Sequence, residues 1–171
     1  MSDQRPPSSD RASQKRRKLV VMAVVSGVAA AGLGAAVTLN WPMASVVGAN
    51  PGNPEQVAMG QAVYQQNCAS CHGAKLEGQP EWQTRKPDGK LPAPPHDEAG
   101  HTWHHPDKVL FRLTKNGMKP PLAPVGYKSD MPAFEGVLSD EQVWAVLSYI
   151  KTSWPPKART RQDRMNEAYE Q

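Results

Sequence analysis

Apolar side chains recur every three to four residues in three segments of the chain, and no segment alternates apolar and polar residues as a strand does. The first segment leads up to Cys68, the second ends at Gly117, and the third ends before Pro155. Residues 74–104, between the first two segments, are rich in proline, glycine and charged residues, which predicts an irregular loop. The pattern therefore indicates an all-α domain over residues 54–154.

Capping signals place the starts of the first and third helices. Asn53 and Pro54 fit the N-cap and the first helical position, and Gln56 is the expected capping-box partner. Ser139 and Gln142 form the same pair before the third helix. That helix is predicted to turn four apolar side chains inward: Val143, Val146, Leu147 and Ile150.

The second helix is shorter, at about three turns. It is predicted to begin near Pro106 and to end at Gly117, because glycine suits the left-handed conformation of a helix C-cap. One of the two histidines before the proline, His104 or His105, is the expected cap of its first turn.

The most apolar part of the chain is an uncharged run, residues 19–39, that is rich in valine, alanine and glycine. As a helix these residues span about 30 Å, which is enough to cross a bilayer core. Four basic residues, 15–18, precede the run and predict a cytoplasmic amino terminus. A retained anchor is favoured over a signal peptide cleaved after Ala49, because signal-peptide apolar regions are usually shorter.

The chain is thus predicted to have five parts. They are a basic cytoplasmic tail (1–18), a transmembrane signal anchor (19–39), a linker rich in proline, glycine and asparagine (40–53), the helical domain (54–154) and a polar C-terminal tail (155–171). The tail is expected to be disordered or a frayed helix. This order predicts a single-pass protein of the inner membrane whose helical domain faces the periplasm.

The net charge of +4 does not indicate a nucleic-acid partner, because of where the charge lies. Residues 1–18 carry six basic and two acidic side chains, so the rest of the chain carries 14 of each. Nucleic-acid affinity depends mainly on basic groups that contact phosphates. The neutral body therefore argues against nucleic-acid binding, and the basic block belongs to membrane topology.

The chemistry of the chain is concentrated in one motif. Cys68 and Cys71 are the only cysteines, and His72 follows directly. Two thiols at this spacing can add to the two vinyl groups of one haem, with the adjacent histidine as an axial ligand of the iron. A zinc site would need further ligands at matching spacing, and a thiol redox pair would need a βαβ context, so one covalent haem c is the favoured cofactor.

With this motif in place, residues 54–154 resemble the class I cytochrome c family. Gly60 and Tyr64, eight and four residues before the first cysteine, match the glycine and the aromatic residue of the family's first helix, and Tyr149 lies in a match to its last helix. The resemblance implies a class I cytochrome c fold wrapped around one haem. It also implies that Gly60 packs against Val146 and Tyr149 where the two helices cross.

The resemblance further implies that Met131, in a polar loop before the last helix, is the second axial ligand. Pro132 biases Met131 toward an extended conformation, and a thioether can reach iron from an apolar pocket. Ligation by methionine and histidine raises the reduction potential. Met118, a histidine, or an open sixth position are the alternatives.

A proline-rich segment resembles the family's loop beside the axial histidine. Its implied role is to accept the proton of the ring's other nitrogen with a backbone carbonyl, for which Pro94 is the first candidate and Pro95 the second. Trp103 is expected to pack on the haem. Four histidines of this region have no assigned role, and a second metal such as copper is an alternative for them: His96, His101, His104 and His105.

The function that the resemblance implies is single-electron transfer, not catalysis. The expected donor is a quinol-oxidising cytochrome complex of the bc1 type, and the expected acceptor is a terminal oxidase or a photosynthetic reaction centre. One alternative is a fixed cytochrome subunit of an oxidase, dehydrogenase or reductase. A haem-based sensor or enzyme is a further alternative, which would need an open or labile sixth position on the iron.

Overall fold

The structure, a computed structural model, describes residues 47–171. Within that range, helices are the only regular secondary structure. The elements are α1 (Pro54–Asn67), α2 (Ala69–His72), a 3₁₀ helix (Thr102–His104), α3 (Asp107–Asn116), α4 (Asp140–Thr152) and α5 (Pro156–Glu170). The predicted all-α class is confirmed, as are the three helices legible in the sequence. The predicted cytoplasmic tail and membrane anchor, residues 1–39, lie outside the described residues.

None of the helices between residues 47 and 171 has the length and apolar character needed to span a bilayer. The predicted loop between the first two long helices is also confirmed, since residues 74–101 contain no helix. Helices α1, α3 and α4 form the frame to which this loop and the loop around Met131 are attached.

Helices α1 and α4 cross in direct backbone contact at Gly60. A Cβ atom at this position would lie 1.9 Å from the carbonyl oxygen of Ala145 and 2.9 Å from Cβ of Tyr149. The predicted contact with Tyr149 is confirmed, whereas the nearest backbone belongs to Ala145, one residue before the predicted Val146. Only glycine allows the two helices to approach so closely, and a side chain here would force them apart.

The core lies between α1, α4 and the loops that precede α4. Tyr64 and Trp154 are almost completely buried, and the ring of Tyr64 packs on that of Tyr149 at a centroid distance of 5.4 Å. The four inward-facing residues predicted for α4 are all buried. Other core side chains are Val63, Leu76, Leu110, Phe134 and Leu138.

The folded domain begins earlier than predicted. Asn53 caps α1 by accepting hydrogen bonds from two backbone amides, as expected, but Gln56 does not complete a capping box. Its side chain instead donates to the carbonyl of Gly48 (2.9 Å) and accepts from the amide of Asn50 (3.0 Å). The same amide lies 2.8 Å from Oγ of Ser148 on α4. The last residues of the predicted linker are therefore held on the domain.

The polar segment after Trp154, predicted to be disordered or frayed, is a packed helix, α5. Ala158 and Gln162, one turn apart, are both buried, and the Gln162 amide donates to the Asp107 carboxylate at 2.7 Å. The prediction failed because α5 is mostly polar, and its buried face carries only Ala158 and the amide of Gln162. Polar groups can be buried when they are hydrogen-bonded.

Helix α5 also supplies the cap of α3. The amide of Asp107 donates to Oδ1 of Asn166 at 2.7 Å, so a side chain distant in sequence satisfies the first turn. The prediction that His104 or His105 caps this helix is therefore wrong. The predicted end at Gly117 is confirmed, with φ at 79°.

Candidate functional site

The two cysteines and the histidine lie on one helical turn. Cys68 ends α1, and its carbonyl accepts hydrogen bonds from the amides of Cys71 (3.1 Å) and His72 (2.9 Å). Cys68 is half-buried, Cys71 is exposed, and no disulfide joins the two thiols. Burial, with a smaller effect from Cys71, raises the pKa of the Cys68 thiol to about 11. A raised pKa opposes a role in thiol–disulfide exchange, which needs a reactive thiolate.

His72 is buried, and one of its two ring nitrogens, Nδ1, makes a hydrogen bond. Nδ1 lies 2.8 Å from the carbonyl oxygen of Pro94. Because a carbonyl can only accept, Nδ1 carries the proton, and Nε2 is left with a lone pair that could ligate a metal. Burial lowers the pKa of His72 and so favours the neutral ring, although the bond to Pro94 partly offsets this effect. The hydrogen bond predicted for Pro94 is thus observed, and Pro95 is not its acceptor.

Two glycines hold the Pro94–Pro95 segment against this turn. The amide of Gly78 donates to the carbonyl of His72 at 2.8 Å, and a Cβ at Gly78 would lie 2.4 Å from the nitrogen of Pro95. Gly78 also has a φ of +69°, in the region that favours glycine. A Cβ at Gly100 would lie 2.0 Å from the carbonyl oxygen of Pro95. The acceptor for His72 is therefore fixed by close backbone packing.

Tyr64 ties α1 to the same turn. Its hydroxyl has one proton, which it shares between the carbonyls of His72 (3.2 Å) and Gly73 (2.9 Å). Burial is the main reason that the pKa of Tyr64 is raised well above its ordinary value. The sequence indicated Tyr64 as a helix-packing residue but did not indicate this bond.

His96 lies directly on the imidazole of His72. The ring centroids are 4.0 Å apart and the planes differ by 23°. Nδ1 of His96 lies 2.9 Å from Oγ1 of Thr102, which is buried. His96 therefore stands beside His72, on one face of its ring.

The loop that carries Met131 is attached to the end of α3. Met131 is half-buried and packs against the core. The amides of Phe134 and Glu135 donate to the carbonyls of Thr114 (3.1 Å) and Lys115 (2.8 Å). These bonds fix the backbone on the C-terminal side of Met131.

A second set of contacts holds the N-terminal side of the same loop. The carboxylate of Asp130 pairs with Lys86 (3.1 Å) and with Lys90. Two further contacts join residues 85–90 to the Met131 loop, from Lys128 to the Asp88 carbonyl (3.2 Å) and from Arg85 to the ring of Tyr127 (5.5 Å). Residues 85–90 therefore act as a strap across the loop. The sequence showed these charges but not which of them pair.

Trp103 and the remaining histidines lie toward α5. The ring of Trp103 is 3.8 Å from that of His104, and Arg161 of α5 lies 5.5 Å from Trp103. His101 stacks on Trp82 at 5.5 Å and meets His105 edge-on at 5.6 Å. Across residues 47–171 no three His, Cys, Asp or Glu side chains are grouped so that they could hold a metal ion. A haem contact of Trp103 stays a prediction.

Comparison with known families decides what this arrangement is. A sequence model described as cytochrome c matches residues 57–154. The chain belongs to the cytochrome c family. No curated protein and no solved structure matches this cytochrome significantly. Members of the family bind haem c covalently, so this cytochrome is an electron-transfer haem protein with one haem c.

The donor set of the cytochrome fits that cofactor. Two unpaired thiols lie on one turn with a neutral imidazole, and the proton of the imidazole is already directed to Pro94. Met131 offers a thioether on a loop anchored at both ends. The roles of His96, Gly78 and Asp130 could not be predicted from the sequence, because they depend on contacts made across the loop of residues 74–104. The four histidines in ten residues were the one sequence signal that could have drawn attention to His96.

Proposed function

We propose that this cytochrome carries single electrons, with Cys68 and Cys71 attaching one haem and His72 and Met131 as its axial ligands. When bound, the haem supplies an iron that changes between ferric and ferrous states by one electron. The observation that carries the proposal is the 2.8 Å hydrogen bond between His72 and Pro94. It leaves Nε2 of a neutral, buried ring free to ligate iron, as axial histidines require.

Two axial ligands from the protein leave no position for a substrate or a gas. The attachment of the Met131 loop at both of its sides supports a stable bond from its sulfur. Electron transfer needs little structural change between the two oxidation states, and a rigid site provides this. A sensor or an enzyme would instead need the loop to release the iron.

The proposed donor is a quinol-oxidising complex of the bc1 type, and the proposed acceptor is a terminal oxidase or a reaction centre. Methionine and histidine ligation raises the potential into the range of such carriers. Residues 85–90 and 119–130 together carry five basic and two acidic side chains. A basic surface beside the Met131 loop favours brief docking to an acidic partner surface.

We further propose that residues 19–39 anchor the cytochrome in the inner membrane, with the haem domain in the periplasm. The basic residues before this run support that orientation. Because Asn50 is bonded to Ser148 and Gly48 to Gln56, the sequence between the proposed anchor and the domain is limited to residues 40–47. Eight residues reach at most about 28 Å. So short a reach also supports the second candidate, a fixed subunit of an oxidoreductase complex.

The full chain, matured with haem in the membrane of a host that carries a bc1-type complex, distinguishes these functions. We expect the haem to stay in the membrane after washing at high salt, to be reduced when quinol is supplied, and to stay oxidised when the bc1-type complex is inhibited. Release of the haem by salt would contradict the proposed anchor. Reduction of the haem by quinol in the presence of the inhibitor would contradict the proposed donor. Elution in a stoichiometric complex from detergent would instead establish the fixed subunit.

A further inference from the structure

The imidazole of His72 has two neighbours that restrain it in different directions. Pro94 accepts the proton of Nδ1 at 2.8 Å. His96 covers one face of the ring, with centroids 4.0 Å apart and planes 23° from parallel. A hydrogen bond fixes where Nδ1 points but still allows the ring to rotate about that bond. A ring packed on its face removes this rotation.

His96 can serve as a restraint because it is itself fixed. Its amide donates to the carbonyl of Leu76 at 2.8 Å, and its carbonyl accepts from Nε1 of Trp154 at 2.8 Å. Its Nδ1 lies 2.9 Å from Oγ1 of the buried Thr102. Both the backbone and the ring of His96 are therefore held, and the side chain is not a mobile surface group.

The edge of the His96 ring also meets the core. Tyr64 approaches it at a centroid distance of 6.2 Å with planes at 74°, an edge-to-face arrangement that aromatic pairs favour. The three rings of Tyr64, His72 and His96 thus form one packed group next to the haem-attachment turn. A flat ring fits this group, whereas an aliphatic side chain would leave one face of His72 less restrained.

We propose that His96 is a positioning residue that fixes the plane of the axial imidazole, and that Thr102 sets the orientation of His96. The inference rests on the proposed role of His72 as an axial ligand. The plane of an axial imidazole determines how its π-electrons overlap with the iron orbitals, and a firm bond from Nδ1 to Pro94 increases the basicity of the ligand. His96 therefore tunes the haem without touching the iron.

The test uses the full holoprotein and three variants. His96→Leu removes the flat ring, His96→Phe keeps a flat ring without its polar atoms, and Thr102→Val removes only the hydroxyl. We expect His96→Leu to change the order of the haem-methyl signals in the NMR spectrum of the ferric protein and to raise the reduction potential. His96→Phe should restore most of the wild-type pattern, and Thr102→Val should give a smaller change in the same direction.

His104→Leu is the matched control, because it removes an exposed histidine of the same loop that stacks on Trp103. It should leave both the methyl signals and the potential unchanged. Wild-type signals and potential in folded His96→Leu would overturn the inference. If His96→Leu does not fold, Thr102→Val takes its place: a wild-type reduction potential and a wild-type order of haem-methyl signals in this variant would also overturn the inference.

Failure of the inference differs from failure of the proposed site. A normal histidine and methionine spectrum in an unaffected His96→Leu protein rejects only the positioning role. If His72→Ala keeps the wild-type axial spectrum, His72 is not the ligand, and the proposed site itself is rejected.

Discussion

The hydroxyl of Tyr64 lies 3.2 Å from the carbonyl oxygen of His72, and this bond links the first helix to the residue proposed to bind iron. The same hydroxyl shares its proton with the carbonyl of Gly73 at 2.9 Å. Tyr64 therefore holds the backbone directly after the haem-attachment motif, in addition to filling the core.

Replacing Tyr64 by phenylalanine should lower the free energy of unfolding by about 1 kcal/mol, because a buried hydrogen bond is lost while the ring stays. Guanidinium unfolding of the holoprotein measures this loss. Tyr169→Phe is the control, since Tyr169 is 45% exposed on α5 and should have almost no effect. Equal stability of the two variants would show that the Tyr64 hydroxyl does not hold the turn.

Asp107 joins three helices through one carboxylate. It accepts from Lys151 (2.7 Å), Gln162 (2.7 Å) and Asn166 (3.0 Å). The side chain of Lys151 is only 5% exposed. Asp107→Ala should therefore destabilise the protein by about 3 kcal/mol, because it leaves a buried ammonium group unpaired.

Lys108→Ala is the control for Asp107→Ala in thermal unfolding. It removes an exposed ion pair to Glu170, which contributes at most about 1 kcal/mol. A similar small effect from both variants would mean that α5 is not held through Asp107.

The strap of residues 85–90 should limit the opening of the Met131 loop. Asp130→Asn weakens the exposed pairs to Lys86 and Lys90 that hold the loop. Added imidazole should then displace the proposed ligand Met131 from the ferric haem with higher affinity than in the wild type, as followed by absorption titration.

Asp140→Asn is matched to this variant. Asp140 pairs with Lys115, outside the strap of residues 85–90, and is as exposed as Asp130, at 55%. It should leave the imidazole affinity unchanged, and high salt should reduce the difference between wild type and Asp130→Asn. Identical affinities in all three proteins at low salt would contradict the strap.

His101 and His105 should contribute to a fall in stability in mild acid. Burial, followed by neighbouring histidines, lowers the pKa of His101 and of His105 below its ordinary value of 6.5. As the pH falls below about 6.5, the unfolded chain takes up protons before the folded one, so the free energy of unfolding decreases. The stability is fully present above that pH.

The double variant His101→Gln, His105→Gln should lose stability less steeply between about pH 7.5 and pH 5.5. Urea unfolding at several pH values gives the two slopes. An unchanged slope in the double variant would show that these two histidines do not cause the acid sensitivity.

The helical frame could be predicted because its signals are local. The capping pair of Ser139 and Gln142 and the glycine at 117 each act within a few residues. The helix crossing at Gly60 is a distant contact, and it followed from the family resemblance. Haem attachment was equally local, since the motif is five residues long.

The rest depended on contacts between distant parts of the chain. Nothing near Gln162 in the sequence indicates that its amide is buried against Asp107, 55 residues away. The stacking of His96 on His72 requires the loop to fold back past Gly78 and Gly100. The sequence therefore suggested chemically active histidines without distinguishing the one that touches the site.

The absorption spectrum of the ferric holoprotein tests the central claim most directly, through the charge-transfer band of a methionine sulfur bound to iron. The band should be present in the wild type and in Met118→Ala and absent in Met131→Ala, whose reduced form should also bind carbon monoxide. A band that persists in Met131→Ala, or one that is missing from the wild type, would contradict ligation by Met131 and with it the closed iron of an electron carrier.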